Sequence, residues 1–106
     1  MGHDYGWEKL FVAVLSLAGS PDTIQQRLLN AFISSLIRIR PEEDLPQGIQ
    51  DEFKTLREQL THRPARGNEG TAAATILAMT EEEASKHAET IVGLYDSVCR
   101  YKKPRV

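Results

Sequence analysis

Arg57 and His62 are the two residues of this chain whose types and spacing could do chemistry. Four residues separate them in the stretch REQLTHR (57–63), and an arginine and a histidine at that spacing can form a ribonuclease site. On one helix, however, five steps of about 100° place the two side chains about 140° apart, so they do not share a face. The alternative interpretation is a solvated Arg57 and an exposed His62 at a helix end. We therefore predict no catalytic residue and keep the pair as a ribonuclease alternative.

The pair resembles the Arg-x4-His motif of HEPN-type ribonucleases, which are small α-helical bundles and often dimers. In that family two such motifs face each other across a dimer and act on the RNA backbone, which implies catalytic roles for Arg57 and His62. The chain departs from the family pattern in two ways. The family arginine is usually followed by Asn, Asp or His, whereas Glu58 follows here. The family motif also sits where a helix begins, whereas Arg57 lies well inside a predicted helix.

Arg63 and Arg66 are candidate anion-binding residues. They precede the glycine loop GNEG (67–70) and a predicted helix start at Thr71, and cations beside exposed backbone N–H groups can hold a phosphate. Glu69 would repel that phosphate. The alternative is a mobile hinge, because residues 63–70 contain no hydrophobic residue larger than alanine to anchor the backbone.

No metal site or cofactor is predicted. The three histidines are far apart in sequence, and Glu83 and His87 are expected to be a helix-surface pair. Cys99 is the only cysteine, which excludes an internal disulfide and a cysteine metal site. We expect it to be a buried, inert thiol.

Helices must position these residues, because the apolar spacing is helical nearly everywhere. We predict an all-α fold, a compact antiparallel bundle of four main helices plus one short helix, in a single domain over residues 1–106. The main helices are expected at 5–18, 21–39, 46–61 and 81–101, with the short helix at 71–79.

Helix boundaries follow from capping residues and prolines. Ser20 and Pro21 are expected to start the second helix, and Thr80 with Glu83 forms a capping box at the start of the last one. Residues 41–48 are interpreted as a polar connector.

Composition and charge narrow the function classes. The chain has 106 residues and a net charge of -2, which argues against a dedicated nucleic-acid binder, so no DNA partner is predicted and RNA belongs to the ribonuclease alternative alone. The uncharged run over residues 10–20 is shorter than the about 20 residues of a membrane span. Asp4 and Glu8 precede it, which disfavours a signal peptide. We expect a cytoplasmic protein with no membrane partner.

The two N-terminal helices are apolar on more of their circumference than a monomeric bundle requires. On the first helix, Val12 and Leu17 are expected off the core face, which consists of Trp7, Leu10, Phe11, Val14, Leu15 and Ala18. The excess predicts a homodimer, or binding of another protein; the alternative is that it fills the buried centre of the bundle. The candidate interface residues are Phe11, Val12, Leu15, Leu17, Leu29, Ile33 and Ile37. The sequence thus favours a non-enzymatic interaction module.

Three stretches, WEKLFVAVLSLAGS (7–20), PEEDLP (41–46) and AMTEEEA (78–84), look like parts of short bacterial helical proteins with no assigned activity. This resemblance implies a bacterial source and an all-helical fold. It carries no catalytic residue over to this chain.

Overall fold

The computed structural model describes residues 3–65 and 67–101, and in these ranges the chain forms six α-helices, one 3-10 helix and no strand. The all-α prediction is confirmed. The elements are α1 (Asp4–Ala18), α2 (Ile24–Ser34), the 3-10 helix (Leu36–Arg38), α3 (Pro41–Asp44), α4 (Gln47–Thr61), α5 (Gly70–Ile76) and α6 (Glu81–Tyr101). The antiparallel order of the bundle stays a prediction.

Three helices form the centre of the molecule. α1, α2 and α6 pack against one another, while α4 packs on α6 and α5 packs on α2 and α4. The buried apolar side chains form one cluster to which all six α-helices or their flanking residues contribute. Its largest members include Leu10, Leu28, Phe53, Ile76, Ile91 and Leu94.

The α6 helix begins where the sequence predicts. The Thr80 backbone N–H donates to Glu83 Oε1 at 2.9 Å, and the Glu83 N–H donates to Thr80 Oγ1 at 3.1 Å. This reciprocal pair is the capping box, and it satisfies two backbone donors that the helix itself cannot satisfy.

The start predicted for the second helix is wrong by three residues. Ser20 is used locally, because its hydroxyl donates to Asp22 Oδ2 at 2.8 Å and accepts from the Asp22 backbone N–H at 3.2 Å. Thr23 is the N-cap instead, and its Oγ1 accepts from the Gln26 N–H at 3.1 Å. The regular helix also ends at Ser34, and the 3-10 helix continues the chain.

The connector over residues 41–48 is not a purely polar loop. Pro41 begins the short helix α3, and Leu45 and Pro46 are buried. Asp44 is also buried, and its Oδ2 accepts a hydrogen bond from the Arg40 backbone N–H at 2.7 Å. The Asp44 carboxylate can be buried because the Arg40 backbone N–H replaces a hydrogen bond that water would otherwise donate.

The buried face of α1 also differs from the prediction. Gly6, Leu10, Ala13 and Leu17 are buried at steps of four, three and four residues. Phe11 and Leu15, expected in the core, are exposed. Small residues on the buried stripe let neighbouring backbone come close: a Cβ on Gly6 would collide with the Asp44 carbonyl oxygen.

Candidate functional site

An exposed apolar surface, here called the aromatic face, lies where α1 packs on α6. It consists of Trp7, Phe11 and Leu15 on α1 and Val92 and Tyr95 on α6. The Trp7 and Phe11 rings are stacked, with centroids 5.5 Å apart and planes 1° from parallel. The Tyr95 centroid lies 6.3 Å from that of Trp7 and 6.0 Å from that of Phe11.

Helix geometry places these side chains on one surface. Trp7, Phe11 and Leu15 are four residues apart, and Val92 and Tyr95 are three apart, so each set lies along one side of its helix. Phe11 is 37% exposed and Leu15 is 51% exposed, whereas Trp7 and Tyr95 are half-buried. The aromatic face therefore combines packed, half-buried rings with exposed apolar side chains.

The polar groups at this surface suit packing rather than proton transfer. A hydrogen bond with the Cys99 side chain, followed by burial, raises the pKa of the Tyr95 hydroxyl above its ordinary value. The phenol is therefore neutral at physiological pH. Cys99, expected to be buried, is only partly buried.

The candidate interface residues divide into two groups. Phe11, Leu15, Ile33 and Ile37 are exposed, and Val12 is half-buried. Leu17 and Leu29 are each only 6% exposed and belong to the core of the chain itself, which corrects their assignment to an interface. The α1 and α2 helices turn these two leucines inward, so a second molecule could not reach them without local unfolding.

Arg57 and His62 are each engaged by their own surroundings. The Arg57 guanidinium lies 5.5 Å from the Phe53 ring centroid, and its Nη1 donates to the Ile39 carbonyl at 3.5 Å. His62 is exposed, and its Nδ1 lies 3.2 Å from the Gln59 carbonyl oxygen. Within residues 3–65 and 67–101 the structure records no contact between the two side chains. The arrangement thus gives no support to a shared catalytic role.

The loop after α4 is anchored at its first residue. The Arg63 backbone N–H donates to Thr75 Oγ1 at 2.9 Å, and this buried hydroxyl donates to the Thr71 carbonyl at 2.7 Å. The expectation that nothing anchors residues 63–70 is therefore wrong at Arg63. Arg66, the other predicted anion ligand, lies outside the described residues.

A pocket that the sequence did not predict brings His62 and His87 together. It has a volume of about 280 Å³ and lies between the end of α4 and the first turns of α6, with Arg63 and Glu83 also in its lining. Burial lowers the pKa of His87, and the Glu83 carboxylate partly opposes that shift. The two histidines are distant along the chain, and only the packing of α4, α5 and α6 makes them neighbours. The described residues contain no group of three side chains that could hold a metal ion.

Comparison of the chain with protein-family models, with curated proteins and with solved structures gave no match. Among the helices in the described part of the chain, none combines the length and apolar character needed to cross a membrane.

Proposed function

We propose that the protein is a non-enzymatic helical interaction module that forms a homodimer, with the aromatic face at the centre of the interface. The exposure of Phe11 and Leu15 beside a packed Trp7 and Tyr95 is the observation that carries this proposal. Aromatic residues are enriched in the buried centres of protein interfaces, where they bury a large area and lose little conformational entropy.

Exposure of the aromatic face to water is thermodynamically unfavourable. Burial of apolar area contributes about 25 cal/mol per Å², so exposed Phe11, Leu15 and Val92 side chains favour any state that covers them. Single exposed apolar residues are common on monomers, but contiguous apolar patches usually mark contact sites.

The α1 side of this surface suits a second copy of the chain because it carries no charge, whereas exposed Glu89 and Asp96 flank Val92 on α6. In a two-fold dimer the same patch faces itself, so any charge at its centre would meet a like charge. Between Lys9 and Asp22 the sequence has no charged residue. Charges occur at the edge instead, where Glu8 and Lys9 carry opposite signs and suit pairing across a two-fold axis.

The single cysteine and the lack of a disulfide suit a reducing compartment, and we propose a cytoplasmic location on that basis. The alternative is that a different protein binds the aromatic face. In that case the isolated protein would be a monomer.

Sedimentation equilibrium of the isolated protein at micromolar concentration tests the dimer. We expect a dimer that Leu15→Glu converts to monomer while the far-ultraviolet circular dichroism spectrum is retained. Leu77→Glu is the matched control, because both leucines are 51% exposed and Leu77 lies outside the aromatic face. Monomer at every concentration would contradict the homodimer, as would equal loss of dimer in both variants.

A further inference from the structure

The pocket between α4 and α6 concentrates groups that become or remain positive. His62 follows the last residue of α4, Arg63 begins the loop, and His87 lies two turns into α6. Glu83 is the only carboxylate among the described residues of the lining. The other polar residues that line the pocket, Gln59 and Thr75, are neutral.

The orientation of these groups leaves hydrogen-bond donors for a ligand. Because the Gln59 carbonyl can only accept, the His62 Nδ1 carries a proton toward it, and Nε2 can donate to a ligand once the imidazole is protonated. The Arg63 guanidinium has no ion-pair partner among the described residues. The hydrogen bond from the Arg63 backbone N–H to Thr75 fixes the backbone from which the Arg63 side chain extends.

Glu83 offsets one positive charge of the lining, but its carboxylate is also engaged at the start of α6. Its Oε1 accepts the hydrogen bond of the Thr80 N–H, and the carboxylate stands at the N-terminal end of α6. There it compensates the partial positive charge of the helix terminus. Protonation of both imidazoles would add two positive charges to a lining whose described residues otherwise carry one charge of each sign.

We propose that this pocket binds a small tetrahedral oxyanion, such as a phosphate group, between His62, Arg63 and His87, and that its affinity rises as the pH falls. The size of the pocket agrees with a small ligand, since about 280 Å³ lies just below the roughly 300–1,000 Å³ of sites for larger molecules. This site is separate from the aromatic face and does not depend on the dimer.

The pH dependence follows from linkage. Burial lowers the pKa of His87, which means that the pocket without an anion disfavours the imidazolium form. A bound anion stabilises that form and raises the His87 pKa, so binding takes up protons. By mass action, added protons then favour binding.

Sulfate is the appropriate probe, because its charge stays constant over the range in which histidine titrates. Its binding can be followed by nuclear magnetic resonance of the His62 and His87 rings, with chloride holding the ionic strength fixed. We expect saturable shifts and binding about tenfold tighter at about pH 5.5 than at about pH 7.5. Absence of saturable shifts at these rings would overturn the proposal, and so would equal affinity at the two pH values.

Variants separate the pocket from general surface charge. Arg63→Gln is expected to weaken sulfate binding about tenfold at about pH 5.5, and His62→Gln, at an exposed position that tolerates change, is expected to reduce the pH dependence. Arg38→Gln is the control, because Arg38 is exposed on the 3-10 helix and does not line the pocket. Equal weakening by Arg38→Gln would show non-specific attraction and refute the site.

Inorganic phosphate and methyl phosphate, compared at about pH 5.5, distinguish a free ion from the phosphate of an ester. Comparable affinity would assign the pocket to phosphate monoesters, whereas exclusion of methyl phosphate would restrict it to the free ion. Failure of both to compete with sulfate would contradict a phosphate site.

Discussion

Phe11 stacks on Trp7 one turn away on α1, with ring centroids 5.5 Å apart, and both rings also meet Tyr95 of α6. The three rings thus join α1 to α6, while the Phe11 ring stays exposed. Side chains in such a position contribute to two free energies, that of folding and that of association. The two contributions can be separated by measurement.

Phe11→Ala is expected to weaken the homodimer strongly and the fold only modestly. The ring is already partly in water, so its loss should reduce the free energy of unfolding by about 1 kcal/mol, the scale of one aromatic pair. The comparison is Phe53→Ala, a fully buried ring whose loss should cost about 3–5 kcal/mol. Urea denaturation of both variants at a concentration where each is monomeric provides the measurement. Equal destabilisation would show that Phe11 is a core residue.

Leu17 and Leu15 test the corrected face of α1. Leu17→Ala should destabilise the monomer by about 2–4 kcal/mol, because Leu17 is almost fully buried. Leu15→Ala removes an exposed side chain and should change the unfolding free energy by less than about 1 kcal/mol. Urea denaturation measures both free energies of unfolding. A larger loss for Leu15→Ala than for Leu17→Ala would contradict the observed orientation of α1.

The contact between Gly6 and the Asp44 carbonyl predicts a penalty for any added side chain. Gly6→Ala should destabilise the protein by about 1–3 kcal/mol, since backbone must move to admit the Cβ. Gly93→Ala is the control within α6, where a Cβ meets nothing within 4 Å and the higher helix propensity of alanine should add about 0.5–1 kcal/mol. Opposite signs in thermal melts are the expected result, and stabilisation by Gly6→Ala would contradict the close approach of α1 and α3.

The ribonuclease alternative predicts that the isolated protein cleaves RNA, whereas the interaction module does not. Because Arg57 is occupied by Phe53 and the Ile39 carbonyl, we expect no cleavage of a labelled RNA. Cleavage that disappears in both Arg57→Ala and His62→Ala, with unchanged helical signal, would instead establish the pair as catalytic.

Local signals in the sequence were sufficient for several elements. The capping box of Thr80 and Glu83 fixes the start of α6, since its hydrogen bonds lie within four residues. The phase of α1 was harder to predict, because nearly every residue from Leu10 to Ala18 is apolar and two different stripes satisfy the helical period. Gly6 and Ala13 distinguish those stripes only once their packing partners are known.

Long-range neighbours could not be predicted from the sequence. His62 and His87 line one pocket because α4 packs on both α5 and α6. Likewise, Thr75 anchors Arg63 across the glycine loop, although no local pattern relates the two residues. Such contacts depend on how helices pack, and a single periodic pattern does not specify that.

The central claim, that a second copy covers the aromatic face, is tested most directly by isotope-filtered nuclear Overhauser spectroscopy. The sample mixes labelled and unlabelled protein, so that only signals between different copies are recorded. Trp7 is the only tryptophan, which makes its ring resonances unambiguous. We predict contacts between copies from the Leu15 or Val92 methyl groups to the Trp7 or Phe11 ring. A dimer whose contacts between copies involve only other surfaces, or a sample with no such contacts, would contradict the account.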